Sequence, residues 1–234
     1  MVKRYRKEDD HSYTLGTTLT IELLKTQPDK VVCVYYHSQL RDLSVIEPMC
    51  KEHHIPLVQS DKAFNILSQK ENCFCIGEFV KSEFALDPNC NHVVLVNPSN
   101  AGNLGTILRS MAGFGVEDLA IVSPGVDIYD PKTVRSSMGA LFHIRFHYFD
   151  TFDEYVKVCG KREFYPFMLK ATTTLKQAQP TFPCSLVFGN EATGLPDSFL
   201  DVGTPLIIRH TDHIDSLNLP IAASIALFQF FSER

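Results

Sequence analysis

Three stretches of this chain gather polar, charged and glycine residues in patterns that could hold a ligand and act on it. The first is Asn97-Pro98-Ser99-Asn100-Ala101-Gly102-Asn103, which leads into a helix carrying Arg109. Asn103 suits the helix N-cap, and Gly105, Arg109 and Gly113 recur at every fourth position, so the arginine sits on a strip of small residues opposite the apolar face. That strip leaves room for a ligand or another chain to reach the guanidinium. The alternative is a capped helix with a surface arginine and incidental glycines. The second stretch, Gly189-Asn190-Glu191-Ala192-Thr193-Gly194-Leu195, follows a β-rich apolar run, and its two glycines let backbone amides and carbonyls come close to a small planar ligand. Read blandly, it is a tight strand-to-helix turn. The third runs from His210 to Pro220 into the last helix; Ser216 or Asn218 either caps that helix or offers hydroxyl and amide groups to a substrate.

Other chemistries lack their residues. Gly102 and Gly105 do not make G-x-G-x-x-G, and there is neither a P-loop pattern nor a G-x-S-x-G elbow. His143 and His147 are four apart, but Leu-Phe-His-Ile-Arg-Phe-His-Tyr-Phe reads as a strand rather than a zinc-binding helix. The seven cysteines, at 33, 50, 73, 75, 90, 159 and 184, include no C-x-x-C pair, so no metal is expected and the thiols read as free in a reducing compartment.

The elements that must position the three stretches fall into two blocks. In the first, Thr17–Leu24 is helical, Val31–Tyr36 β-rich and Leu43–His53 helical, with a short strand at Ile55–Val58. Asp61 suits the N-cap of a helix over Lys62–Ser68, and Cys73–Phe79 returns to strand. The aperiodic stretch 81–91, with its Asp-Pro-Asn turn signal, is the expected linker. In the second block His92–Val96 and Leu119–Val122 read as buried strands around a helix whose Leu104, Ile107, Leu108 and Met111 share one face. Further strands are expected at Phe167–Lys170, Ser185–Phe188 and Pro205–Ile208. This alternation predicts an α/β fold with a mostly parallel sheet. The helix Pro220–Phe231 is apolar nearly all round and must be covered, by other layers or by a second subunit, so a homodimer is expected.

The 234 residues, 44% of them hydrophobic and 21% charged, suffice for one large or two small globular domains. No secretory h-region and no long apolar run suggests a membrane partner, so a cytoplasmic protein is expected. A net charge of −5 supplies no overall attraction for nucleic acid. The one basic cluster, Lys3, Arg4, Arg6 and Lys7, reads more readily as a solvated tail than as a binding arm.

In their order, the three stretches resemble the three motifs of the SpoU family of RNA 2′-O-ribose methyltransferases, within the SPOUT superfamily. Asn103-x-Gly105-x-x-x-Arg109 with Gly113-Phe114-Gly115 is similar to motif one, Phe188-Gly189-Asn190-Glu191-x-x-Gly194-Leu195 to motif two, and Ser216-Leu217-Asn218-x-x-x-Ala222-Ala223 to motif three. Val134–Phe142 is similar to a further family segment. The resemblance spans 91–234, and 12–80 looks more weakly like an L30e-like substrate-binding domain, implying domains at 1–88 and 89–234. It implies a SPOUT sheet threaded into a trefoil knot, one of the rare knotted folds. It also implies S-adenosylmethionine as cofactor and a ribose 2′-hydroxyl of tRNA or rRNA as acceptor. Carried over by position, Arg109 is the catalytic arginine and Asn103 lies near the target ribose, with Glu191, Ser216 and Asn218 completing the catalytic set. Gly189, Asn190, Gly194, Leu195, Ile208 and Leu217 would hold the cofactor. Ala192-Thr193 and Pro220 depart from the usual motif residues. The rival reading is a non-catalytic RNA-binding protein that kept the fold; the joint presence of Asn103, Arg109, Glu191, Ser216 and Asn218 argues against it.

Overall fold

The computed structural model describes residues 2–68 and 72–232. The chain gathers into two compact units: residues up to Ser82 together with Asp127–His143, and Glu83–Val126 together with the chain from Ile144 onward.

The first unit is a four-stranded mixed sheet with helices. Its elements run β1 (His11–Leu15), α1 (Thr17–Thr26), β2 (Val31–Tyr36), α2 (Ile46–Glu52), β3 (Leu57–Gln59), α3 (Asp61–Leu67) and β4 (Cys75–Val80). The sheet order is β1-β4-β2-β3, with β4 antiparallel to both neighbours and β3 parallel to β2. Leu24, Val34, Ile46, Cys50 and Cys75 form one apolar cluster, and Tyr13, Phe64, Cys73 and Ile76 form another. The helix at 61–67 is capped one residue earlier than its sequence suggests. Ser60 is the cap, its hydroxyl accepting from the Ala63 amide at 3.3 Å, while the Asp61 carboxylate accepts from the Ser38 amide and hydroxyl at 2.8 and 2.7 Å. Asp61 thus serves a contact distant in sequence and leaves the local cap to its neighbour.

The second unit opens with β5 (His92–Val96), α4 (Ala101–Gly113) and β6 (Asp118–Val122). The chain then enters the first unit for α5 (Pro131–Ser136) and a 3-10 turn at Ala140–His143. This excursion is well anchored. The Tyr129 hydroxyl donates to the Ser82 carbonyl and accepts from its amide at 2.8 and 2.9 Å, the Gln27 amide donates to the Phe142 carbonyl at 2.9 Å, and Phe142 packs edge-on to Phe79.

Back in the second unit follow β7 (Arg145–Phe149), α6 (Phe152–Val158), β8 (Glu163–Pro166), β9 (Thr173–Thr174), β10 (Cys184–Phe188), β11 (Leu206–Ile207) and α7 (Leu219–Phe231). Five strands form an all-parallel sheet in the order β7-β6-β5-β10-β8. Its central strands are buried on both faces, which is why Val93-Val94-Leu95 and Leu186-Val187-Phe188 are continuously apolar. Leu104, Ile107, Leu108 and Met111 of α4 are all buried, and α4 packs against α7, where the Ser110 and Ser224 hydroxyls meet at 2.7 Å.

Two expectations shift here. The strand expected at Phe167–Lys170 ends at Pro166. Beyond it the Phe167 amide still reaches Val187, but the Met168 amide turns to Leu206, so the chain peels off the sheet edge toward β11. The stretch 83–91 lacks periodicity as expected, yet Leu86 is buried in the core of the second unit and the Asp87 amide donates to Asp118 at 3.0 Å. Two side chains, Phe84 against Phe146 and Leu86 in the core, suffice to seat it.

Candidate active site

In an open parallel sheet the chain winds outward in two directions from a switch point, and the crevice beyond the carboxyl ends of the two strands there receives ligands. Here that point lies between β5, from which the chain proceeds outward to β6 and β7, and β10. The loops leaving β5 and β10 are the first and second stretches singled out above.

They are tied together by two side chains of the second loop. The Asn190 amide donates to the Asn97 carbonyl at 2.8 Å, while its oxygen accepts from the Ala192 and Thr193 amides at 2.9 and 3.2 Å. Glu191 takes four bonds from the other loop. One oxygen accepts from the Ser99 amide at 3.0 Å and hydroxyl at 2.8 Å; the other accepts from the Asn100 amide and the Asn103 side chain, both at 3.1 Å. Burial works against the charge on Glu191, but the bonds from the Ser99 hydroxyl, from its own and the Ser99 backbone and from Asn103 outweigh it, holding the carboxyl below its ordinary pKa.

The Asn103 cap expected from sequence moves as well. Asn100 is the N-cap of α4, its side-chain oxygen accepting from the Gly102 and Asn103 amides at 2.8 and 3.1 Å. Asn103 lies in the first helical turn, which frees its side chain to point to Glu191.

The second loop folds back on itself through the Gly194 amide and Asn190 carbonyl, 2.9 Å apart. A β-carbon at Gly189 would come within 2.2 to 2.4 Å of the Gly194–Leu195 backbone, and Gly194 has φ +67°, so both positions demand glycine. This hairpin is one wall of a cavity of about 330 Å³. The chain from Phe167 to Lys170 forms another wall, with Phe167 stacked on Phe188 at 4.6 Å between ring centroids. The remainder comes from Leu206–Ile208, His210, Ser216, Leu217, Leu219 and Ala222. At the rim, the exposed Lys170 ammonium pairs with Asp197 at 2.6 Å.

The structure therefore gathers Gly189, Asn190, Glu191, Gly194, Leu195, Ile208, Ser216 and Leu217 around one cavity. Asn103 joins them through Glu191. Arg109 and Asn218 are not in the lining; both are exposed. Among the described residues no carboxylate pairs with Arg109 and no hydrogen bond holds its side chain. The strip around it is less uniform than its spacing suggests, since Gly105 is buried with Leu104 and Leu108 while Gly113 is exposed. Asn218 is the N-cap of α7 by backbone position, without a side-chain bond. Sequence reasoning missed Ser99 and Asn100, the partners of Glu191, and the wall at 167–170, whose apolar run resembles a strand.

Residues 91–228 match the family model described as the SpoU rRNA Methylase family. A Listeria innocua protein bearing the name of a tRNA (cytidine(34)-2′-O)-methyltransferase is 31% identical over 150 residues, which span 62% of this chain and 88% of that protein. A 23S rRNA (uridine(2479)-2′-O)-methyltransferase of Streptomyces viridochromogenes is 29% identical over 150 residues, 61% of this chain and 52% of that one. Among solved structures, an AdoMet-bound rRNA methyltransferase from Sinorhizobium meliloti superposes with a TM-score of 0.82 at 24% identity, covering 96% of this chain and 88% of the other.

Proposed function

Since the chain belongs to the SpoU rRNA methylase family, we propose that it transfers the methyl group of S-adenosylmethionine to a ribose 2′-oxygen of a tRNA or ribosomal RNA. The observation that carries this reading is the cavity at the switch point, walled by the motif-two hairpin and the motif-three loop and linked through Glu191 to the Asn103 loop. The cavity suits the cofactor. Its volume lies within the range of small-molecule sites, Phe188, Leu195, Leu206 and Leu219 supply apolar walls, and the hairpin at 189–194 presents main-chain polar groups. Bound there, S-adenosylmethionine supplies an electrophilic methyl group.

The protein's own residues position the acceptor and manage its charge. Arg109 cannot act as a base, because a guanidinium stays protonated in proteins; we assign it the stabilisation of the developing alkoxide and of adjacent phosphate oxygens, with the proton leaving to phosphate or water. Ser216 and Asn218 offer a hydroxyl and an amide at the third loop for orienting the ribose. Glu191, with all its bonds directed at the first loop, is a positioning residue that fixes Asn103 rather than a group that exchanges protons.

The same reading includes a homodimer built on α7. That helix buries Ala223, Ala226, Leu227 and Phe230 against its own unit but leaves Ile221, Ile225 and Phe228 exposed, Phe228 by 58%. An apolar stripe of this kind favours a second copy of the chain over water. The test of the function is mass-spectrometric mapping of ribose methylation after incubating purified protein and S-adenosylmethionine with unmodified tRNA and ribosomal RNA. A new 2′-O-methyl nucleotide is expected; none, from protein that binds both RNA and cofactor, leaves a binding protein only.

A further inference from the structure

The cavity and its loops leave one charged feature of the chain unused: Lys3, Arg4, Arg6 and Lys7, four cations within five positions of the segment before β1. A charged tip of this composition reads as a solvated tail. In the structure it is held down. Val2 and Tyr5 are half-buried against the cluster of Tyr13, Phe64 and Ile76. The Tyr5 hydroxyl donates to the Asp127 carboxylate. Lys81 closes over the segment, its ammonium 4.6 Å from the Tyr5 ring centroid and donating to the Lys7 carbonyl at 2.8 Å.

Between these anchors the side chains of Lys3, Arg4, Arg6 and Lys7 are all exposed. Neither they nor Lys81 pairs with a carboxylate among the described residues. Glu8, Asp9 and Asp10 follow at once in sequence, and Asp9 is occupied locally, accepting from the Arg6 amide at 3.0 Å to close a turn. The alternation matters: the apolar residues face inward and every cation faces out, so the exposed face of the segment is purely cationic.

We propose that this pinned arm binds the phosphate backbone of RNA, supplying a basic strip that the whole chain, at a net charge of −5, does not otherwise provide. The proposal rests on the RNA-methylating reading and adds to it a site in the other unit. Each phosphate met by a Lys or Arg releases condensed counterions, a favourable term that needs local cations and not a positive protein. Because Tyr5 and Lys81 already fix the backbone, binding gives up less conformational entropy than recruiting a free tail would. Contacts of this kind set register and carry no base preference. A membrane surface is the poorer partner, since no apolar side chain is left facing out to enter the lipid boundary.

The experiment compares the full chain with a Lys3→Gln/Arg4→Gln/Arg6→Gln/Lys7→Gln variant, all exposed positions that a folded unit tolerates. Binding to bulk tRNA and to purified ribosomal RNA is measured over a salt series. The slope of log affinity against log salt is expected to become shallower by about two to three, at roughly 0.7–0.9 per lost contact. Affinity at moderate salt is expected to fall at least tenfold, while S-adenosylmethionine affinity and the single-turnover rate at saturating RNA stay unchanged. A Tyr5→Ala variant, which keeps every charge and removes the anchor, is expected to weaken binding with a near wild-type slope; full wild-type affinity would show that pinning is irrelevant and overturn the arm as described. A quadruple variant with wild-type slope and affinity, in a protein that still methylates RNA, overturns the proposal and leaves the function standing. Wild-type protein that binds neither RNA overturns both. Loss of binding only to phosphatidylserine vesicles, with RNA unaffected, overturns it in favour of a membrane surface.

Discussion

Arg109 and Glu191 are both charged members of the motifs, and their surroundings assign them opposite duties. Arg109 is exposed with its guanidinium uncommitted, available to an incoming substrate. Arg109→Ala is expected to lower turnover by about a hundredfold or more, as loss of one oxyanion-stabilising donor does, with cofactor affinity nearly unchanged in calorimetry. Arg109→Lys separates charge from geometry: substantial rescue indicates simple charge stabilisation, none indicates bidentate positioning. Glu191, by contrast, spends its carboxylate on the first loop. In Glu191→Gln one of the two acceptor oxygens becomes a donor facing donors, so hydrogen exchange at the Ser99 and Asn100 amides should accelerate and turnover should fall, with cofactor affinity changing less than turnover. Wild-type exchange rates there would remove the clamp. Gly189→Ala has a more local outcome, because its methyl group would lie within 2.4 Å of three backbone atoms of Gly194 and Leu195. The hairpin must open, and calorimetry should show cofactor binding lost or weakened by at least tenfold.

At the scale of elements, α7 carries the most consequential surface. Replacing Phe228 and Ile225 by Glu places charges on its exposed stripe, and light scattering is expected to shift from dimer to monomer with the fold retained; a wild-type protein that is already monomeric at micromolar concentration and active there excludes the dimer. Much of the second unit was legible beforehand, and the reason is visible in β5, β6 and β10: strands buried on both faces read as unbroken apolar runs, and α4 declares its buried face through Leu104, Ile107, Leu108 and Met111. The three loops were legible because glycines and short polar side chains cluster only where the chain must turn tightly. What escaped depends on partners far off in sequence. Asn100 and Asn103 are equally good caps by composition, and the choice between them is bound up with Glu191, 88 to 92 residues away from the groups it holds. The same holds for Ser60 and Asp61, where Ser38 claims the carboxylate. The wall at 167–170 was misread since an apolar run at a sheet edge reveals nothing of where its hydrogen bonds stop.

The molecule as a whole carries a titratable group away from the cavity, at the amino end of the parallel sheet. His92, the first residue of β5, is fully buried; its Nε2 lies 2.8 Å from the Asp87 carbonyl and its Nδ1 2.9 Å from the Tyr155 hydroxyl, which in turn meets Ser185 at 2.6 Å. A carbonyl only accepts, so Nε2 bears the proton and a neutral ring receives the Tyr155 hydroxyl at Nδ1. Burial first, then the nearby Arg162, depresses the His92 pKa to about 4. With the folded value below the unfolded one, the unfolded chain binds the extra proton, so stability is full above about pH 6.5 and declines as pH falls toward 4, by up to about 3 kcal/mol. Denaturant titrations at pH 7 and pH 5 check this, and His92→Gln should flatten the difference; an equal decline in that variant would shift the cause elsewhere. The anchored excursion at 127–143 has a consequence for synthesis rather than for the finished fold. A ribosome releases the first unit's strands and helices well before it releases α5 and Phe142, and some sixty residues of the second unit emerge in between. At roughly 5–20 residues per second the nascent first unit waits about 3–12 s with Phe79 and Ser82 lacking their partners, so its completion is timed by translation of the catalytic unit, and a chain arrested before residue 143 is expected to remain protease-sensitive in a segment whose own sequence is already whole.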